Sequence, residues 1–225
     1  MNRVLIVAPH CDDEVLGCGG AMARHTLLGG EVHVAIMTNG HLGAPELFSE
    51  EGTIKVRKEA LEAHKILGVT KTHFFNFPAP RLDSVPGYKL ALKLSELIQT
   101  IKPEIIYIPH RGDIHKDHTH TFDAALVAAR PINDNPVKYI YAYETLSETE
   151  WAAPFSDDAF IPSRFINISD TLDTKLRAFS CFTTQIKKPP HPRCLENIKY
   201  LAKIRGATVG CSAAEAFSVI REIIE

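Results

Sequence analysis

The chain of 225 residues has no apolar stretch near the ~18 residues that a membrane span requires. Its first apolar run, Val4–Ala8, is too short for the core of a secretory signal, and an acidic cluster follows it directly. No basic run is long enough to track a phosphate backbone. Lys187–Lys188 is only a pair beside prolines, and the formal net charge is -2, so nucleic acid is not an expected partner. The five cysteines (Cys11, Cys18, Cys181, Cys194, Cys211) are odd in number, scattered and without a C-x-x-C pair. That argues against a disulfide framework and for free thiols, so a cytoplasmic location is expected. Internal repeats, low-complexity tracts and linkers are also missing, so residues 1–225 read as one domain.

What is present is ordinary globular composition, 45% hydrophobic and 23% charged, enough for a normal core without a structural metal. Short apolar runs rich in branched and aromatic residues alternate with helical patterns. Strands are expected at Arg3–Ala8, Glu31–Thr38, His73–Phe77, Glu104–Ile108 and Lys138–Tyr143. Helices are expected at Glu14–Leu28, Thr53–Leu67, Tyr88–Ile101 and His118–Arg130, with Gly68 and Pro103 as stop signals. This alternation predicts an α/β, Rossmann-like, mostly parallel sheet with helices on both faces. In such sheets ligands bind beyond the carboxyl ends of the strands. The last third reads differently: a strand at Arg164–Ile168, then a C-terminal helical extension at about Ser169–Thr183, Cys194–Ile204 and Ser212–Ile224.

Two clusters carry the chemistry. The first, Pro9-His10-Cys11-Asp12-Asp13-Glu14, puts three acids and a histidine directly after a buried strand. Like charges repel there unless a cation is near, and imidazole with carboxylate suits Zn²⁺. A carboxylate outside the metal's coordination could then take a proton from water. The plainer alternative is an acidic helix cap, with Asp12 or Asp13 at the positive end of the dipole. The second cluster, His110 to His120, holds four of the eleven histidines and two aspartates, Asp113 and Asp117, after the fourth strand. His115 and His118 are three apart, which lets both face one pocket.

Together the two motifs resemble those of the PIG-L/LmbE-like family of zinc-dependent N-deacetylases, with His-Pro-Asp-Asp-Glu after the first strand and His-x-x-Asp-His further on. Here they stand as His10-Cys11-Asp12-Asp13-Glu14 and His115-Lys116-Asp117-His118, with Cys11 in place of the usual proline and one residue rather than two between His115 and the Asp-His pair. A cysteine as fourth ligand would close the site and abolish catalysis. Glu14 to Gly20, Arg57-Lys58-Glu59-Ala60, Lys175–Gln185 and Ala214–Phe217 also resemble segments of that family. The resemblance implies His10, Asp13 and His118 as zinc ligands and Asp12 as the general base. His115 would polarise the carbonyl or stabilise the oxyanion, and Asp117 would orient a histidine. Arg57 and Glu14 would contact substrate, although Arg57 also fits an exposed helix arginine and Glu14 a helix cap. His41, His64, His73 and His191 read as structural or surface groups, and Trp151 as a packed or loop residue. The substrate class implied is an N-acetylglucosamine-type sugar or glycoconjugate, with Fe²⁺ as the alternative ion and a homo-oligomer as the family habit. The segments His41–Gly52, Ala79–Gly87 and Glu144–Pro162 are the expected specificity loops. Competing readings are another amidase, a two-metal phosphoesterase using Asp113 and Asp117, and a non-catalytic zinc module. A nucleotide site is disfavoured, because Gly17, Gly19 and Gly20 do not match G-x-G-x-x-G.

Overall fold

The computed structural model describes residues 2–132 and 135–224. The elements run β1 (Arg3–Ala8), α1 (Asp13–Leu27), β2 (Glu31–Asn39), α2 (Gly40–Gly43), α3 (Glu50–Leu67), β3 (Lys71–Pro78), α4 (Gly87–Ile101), β4 (Ile105–Pro109) and α5 (Lys116–Ala128). They continue with β5 (Tyr139–Tyr143), β6 (Arg164–Asn167), α6 (Leu172–Phe179), α7 (Leu195–Thr208) and β7 (Ala214–Arg221). One sheet joins all seven strands in the order β3-β2-β1-β4-β5-β7-β6. The first five strands are parallel, and β7 runs antiparallel between β5 and β6.

β1 is apolar throughout because it is covered on both sides. Val4, Ile6 and Ala8 pack into a cluster with Val15, Met22 and Phe179. Leu5 and Val7 point the other way, into a cluster with Leu94, Ile98 and Phe122. The glycines of α1 serve this packing. A Cβ on Gly17 would lie 2.2 Å from the Tyr143 ring, and one on Gly20 would lie 2.7 Å from Ile168.

The third helix expected in the C-terminal extension, Ser212–Ile224, is instead strand β7. Its Ala/Glu-rich start has helical propensity, but its place in the sheet overrides that preference. Glu215 and Phe217 share one face, two residues apart. Phe217 enters the core, and Glu215 accepts the backbone N–H groups of Gly20 and Ala21 at 2.8 and 2.7 Å. Lys175 of α6 donates to the same carboxylate at 2.6 Å, so this third of the chain is stitched into the sheet.

The topology also brings the two motifs together. From β1 the chain winds outward through β2 and β3, then returns to place β4 against the other edge of β1, with Val4 opposite Ile105. The carboxyl ends of β1 and β4 therefore adjoin where the winding reverses, the usual ligand position in open α/β sheets. No helix among the described residues is long and apolar enough to cross a membrane.

Candidate active site

Asp12 lies between β1 and α1, at the N-cap position, with φ 109° and ψ -32°. A non-glycine residue there is strained by an amount on the order of 1–3 kcal/mol. Its side chain makes no capping bond, so the helix-cap alternative does not describe it. Its carboxylate lines a cavity of about 420 Å³. The next residue, Asp13, is fully buried. Its Oδ2 accepts the His10 backbone N–H at 3.0 Å and lies 3.3 Å from both His10 Nδ1 and His118 Nε2.

β4 feeds a turn that ends in α5. His115 caps this helix, its Nδ1 accepting the Asp117 N–H at 3.1 Å. His118, one turn in, is fully buried, and its Nδ1 donates to Asp113 Oδ2 at 2.7 Å. Asp113 Oδ1 in turn accepts from Thr149 Oγ1 at 2.6 Å. Asp117 is bonded to His10 Nε2 at 3.1 Å and accepts the Leu82 N–H at 3.0 Å. His10 and His118 are thus each held by a carboxylate on one nitrogen and face Asp13 with the other. Such partners orient metal-binding histidines and raise their basicity.

Asp13 Oδ1 and His118 Nε2 are buried and have no hydrogen-bond partner among the described residues. Unsatisfied buried polar atoms are costly unless something outside the chain meets them. With His10 they form a two-imidazole, one-carboxylate set whose atoms lie within 4.8 Å of one another. That set fits Zn²⁺, and also Fe²⁺. A second convergence, His10–His115–Asp117, shares His10 with the first. Two ions would then compete for one imidazole whose Nε2 is already bonded to Asp117, and Asp113 faces the far side of His118. This arrangement does not favour the two-metal phosphoesterase reading.

The electrostatics follow from the packing. Burial alone would lower His10, but Asp117 and Asp13 outweigh it and raise its pKa to about 9. His118 rises to about 10 against the same burial, through Asp13 and Asp113. Burial pushes Asp13 upward, yet the imidazoles of His118 and His10 hold it well below the usual carboxylate range. Asp12 lacks such compensation: burial, with the charges of Asp13 and Glu14, raises it to about 7 against the pull of Arg193. Burial and the neighbouring His10 lower His115 to about 4. His115 is therefore neutral near pH 7. Because its Nδ1 accepts a backbone bond, its Nε2 carries the proton.

His10, Asp12 and His115 form the polar end of the cavity, and Arg57, Arg193 and Glu148 also line it. All three expected specificity loops reach its wall, through Leu47 and Phe48, Ala79 and Pro80, and Glu148. Arg57 is more than an exposed helix residue. Its Nη2 donates to Thr38 O, Phe75 O and Asn76 Oδ1 at 3.2, 3.1 and 2.9 Å, and its guanidinium lies over Phe74.

Other expectations change. Glu14 does not reach the cavity and stays at the start of α1, where it bonds the N-cap residue. It is fully buried, its Oε1 bonded to His64 Nε2 at 2.9 Å and its Oε2 accepting the Asp12 N–H at 3.0 Å. His64 is thereby part of the floor that shapes the Asp12 turn. His41 bonds to Phe48 O, and His73 pairs with His33, away from the metal-type cluster. Cys11 lines the cavity but belongs to neither group of side chains that converges on a possible metal position, and burial with the Glu14 and Asp12 charges pushes its thiol well above the ordinary range. Trp151 is exposed, edge-on to His191. His110 bonds to Asp158 O at 2.7 Å. Three contributors were not foreseen in these roles: Asp113, Glu148 and Arg193. Nothing local in the sequence marks Arg193, which meets Asp12 across 181 residues.

The family model described as GlcNAc-PI de-N-acetylase (PIG-L) matches residues 5–129, a span that contains both motifs. The uncharacterized deacetylase YaiS of Escherichia coli is 32% identical over 152 residues, covering 64% of this chain and 74% of that protein. The diacetylchitobiose deacetylase of Thermococcus kodakarensis is 26% identical over 196 residues, covering 82% of this chain and 70% of that one. Among solved structures, GalB, the 4-carboxy-2-hydroxymuconate hydratase of Pseudomonas putida, superposes with a TM-score of 0.80 at 22% identity, covering 100% of this chain and 98% of that one. At that identity the likeness speaks for the fold alone. The match over both motifs, with their side chains converging on one cavity, establishes that this chain belongs to the PIG-L family.

Proposed function

We propose that the protein is a zinc-dependent hydrolase that removes the N-acetyl group from an N-acetylglucosamine-type sugar or glycoconjugate, giving acetate and a free amine. One observation carries the reading. Asp12, on a strained backbone and outside the His10–Asp13–His118 set, is presented to the cavity beside that set. A purely structural zinc module has no use for such a base. The relatives named as deacetylases agree with it.

His10, Asp13 and His118 would hold the zinc, which when bound lowers the pKa of a water toward about 7 and draws electrons from a carbonyl oxygen. Asp12, with its raised proton affinity, accepts the proton of the attacking water. The neutral His115 ring offers Nε2–H to the carbonyl oxygen as negative charge develops there. Asp12, now protonated, returns its proton to the leaving nitrogen. Arg57 and the apolar wall of Leu47, Phe48 and Pro80 border the volume left for the sugar and its substituent. The free cysteines fit a cytoplasmic setting.

The test is acetate release from a panel of N-acetyl sugars, with chelation and zinc add-back. Release that stops with chelator and returns with zinc supports the assignment. Absence of release across the panel from protein carrying one zinc per chain would overturn it.

A further inference from the structure

Nothing in the local structure holds the Asp12 carboxylate. The residue sits at an N-cap without a capping bond, and Glu14 bonds only its backbone. Among the described residues, the one hydrogen bond to that carboxylate comes from Arg193, whose Nη1 donates to Asp12 Oδ2 at 2.9 Å.

The guanidinium is itself fixed. Nε donates to Ser147 Oγ at 2.7 Å, Nη2 to Glu148 Oε1 at 3.2 Å and Nη1 to Gln185 Oε1 at 3.4 Å. Four of its five N–H donors are therefore engaged. Its backbone is fixed as well: Arg193 N donates to His191 Nδ1 at 3.1 Å, and Asn197 Nδ2 donates to Pro190 O and His191 O at 3.2 and 3.1 Å. Prolines at 189, 190 and 192 restrict the same loop. The side chain keeps only 16% of its exposure yet still lines the cavity. A rigid fork thus spans three segments and ends on one oxygen of one carboxylate.

We propose that Arg193 is the positioning residue for Asp12, pinning Oδ2 so that Oδ1 is presented to the water and to the substrate nitrogen. The inference rests on Asp12 acting as the base. It assigns a role to the Pro-rich loop, which supplies the arm that aims the base. A lysine would supply the charge but not the fork.

The experiment uses zinc-loaded protein and an N-acetyl sugar from which the unaltered protein releases acetate. If the unaltered protein releases none, the functional reading fails before this inference is reached. Given release, Arg193→Ala and Arg193→Lys at one zinc per chain should lose about 10²-fold in kcat, with KM within about threefold, as a misaimed group does. Added guanidinium should restore part of the Arg193→Ala rate and none of the Asp12→Asn rate. Combining Asp12→Asn with Arg193→Ala should cost no more than Asp12→Asn alone, within about twofold, because residues acting as a unit are not additive. Should the Arg193 variants fail to fold, Ser147→Ala keeps the arginine and removes its Nε anchor, from a buried hydroxyl off the cavity wall. Its kcat should fall several-fold, with KM within about threefold, in protein that stays folded and keeps one zinc per chain at the assay temperature, the lost bond lowering the melting temperature by only a few degrees. The inference is overturned if Arg193→Ala keeps kcat within about threefold, if its cost multiplies in full onto Asp12→Asn, or if Ser147→Ala leaves kcat unchanged. A rise in KM alone would make Arg193 a substrate contact and overturn it too.

Discussion

Adjacent aspartates in this chain have opposite fates, and the difference lies in their neighbours. Asp13 is surrounded by two imidazoles and stays ionised, whereas Asp12 has the Arg193 guanidinium and a weaker pull from His10 against burial and two acids, and is raised to about 7. A carboxylate poised near neutrality suits a general base, while a strongly ionised one suits a metal ligand. Asp12→Asn should therefore retain one zinc per chain and lose about 10²–10⁴-fold in kcat, since it removes proton transfer and not coordination. Elemental analysis with acetate kinetics checks both halves, and an Asp12→Asn variant at full rate would end the assignment. Asp113 makes a different prediction. It touches no cavity wall but holds His118 Nδ1 at 2.7 Å. Asp113→Asn should weaken zinc binding by about 10–100-fold, as loss of a ligand's orienting partner does, measured by competition with a chromogenic chelator.

At the scale of elements, α1 shows how closely packing and site are joined. Gly17 lets the helix approach the Tyr143 ring, whose hydroxyl donates to Val7 O at 3.0 Å and so cannot easily move aside. Gly17→Ala should cost about 1–3 kcal/mol by overpacking. That is a melting temperature lower by roughly 3–10 °C for a chain of this length, readable by thermal denaturation. The sequence pattern marked α1 and its glycines well, because strong apolar periodicity and a preceding buried strand are local signals. It also marked β1 to β5 and both motifs. It failed at β7, where Ala213 to Phe217 carries helix-forming residues and the deciding partners, Gly20, Ala21 and Lys175, are far away in sequence. The substrate role expected of Glu14 fails for the same reason. Its partner His64 lies on another helix, so the sequence showed an acid at a helix start and hid the buried bond. Arg193 stands at the extreme of this pattern, since a single arginine in a proline-rich loop has no period or spacing to reveal it.

For the molecule as a whole, metal and protons compete for the same atoms. In the metal-free protein His10 titrates near 9 and His118 near 10, against about 6.5 for a free imidazole. Both pKa values are raised on folding. Their ion pairs with Asp13, Asp113 and Asp117 therefore stabilise the metal-free fold fully below about pH 6.5, and that contribution is lost as pH rises through about 9 and 10. Zinc needs the unprotonated imidazoles, so its binding must expel those protons. Near pH 7.5 about two protons should leave these imidazoles per zinc bound, in addition to any lost by a zinc-bound water, and affinity should climb with pH across the same interval. Asp13 adds none, because it is already ionised. Calorimetry in buffers of different ionisation enthalpy counts the protons directly, and a count near zero would remove His10 and His118 from the ligand set. Ligand binding stabilises the folded state by an amount that grows with affinity. The zinc-loaded and chelated proteins should thus separate in melting temperature from pH 6 to pH 9, the chelated form falling as its imidazolium–carboxylate pairs dissolve while the loaded form gains from tighter binding. Parallel curves across that range would mean that the buried cluster is held together by something other than the competition between proton and metal.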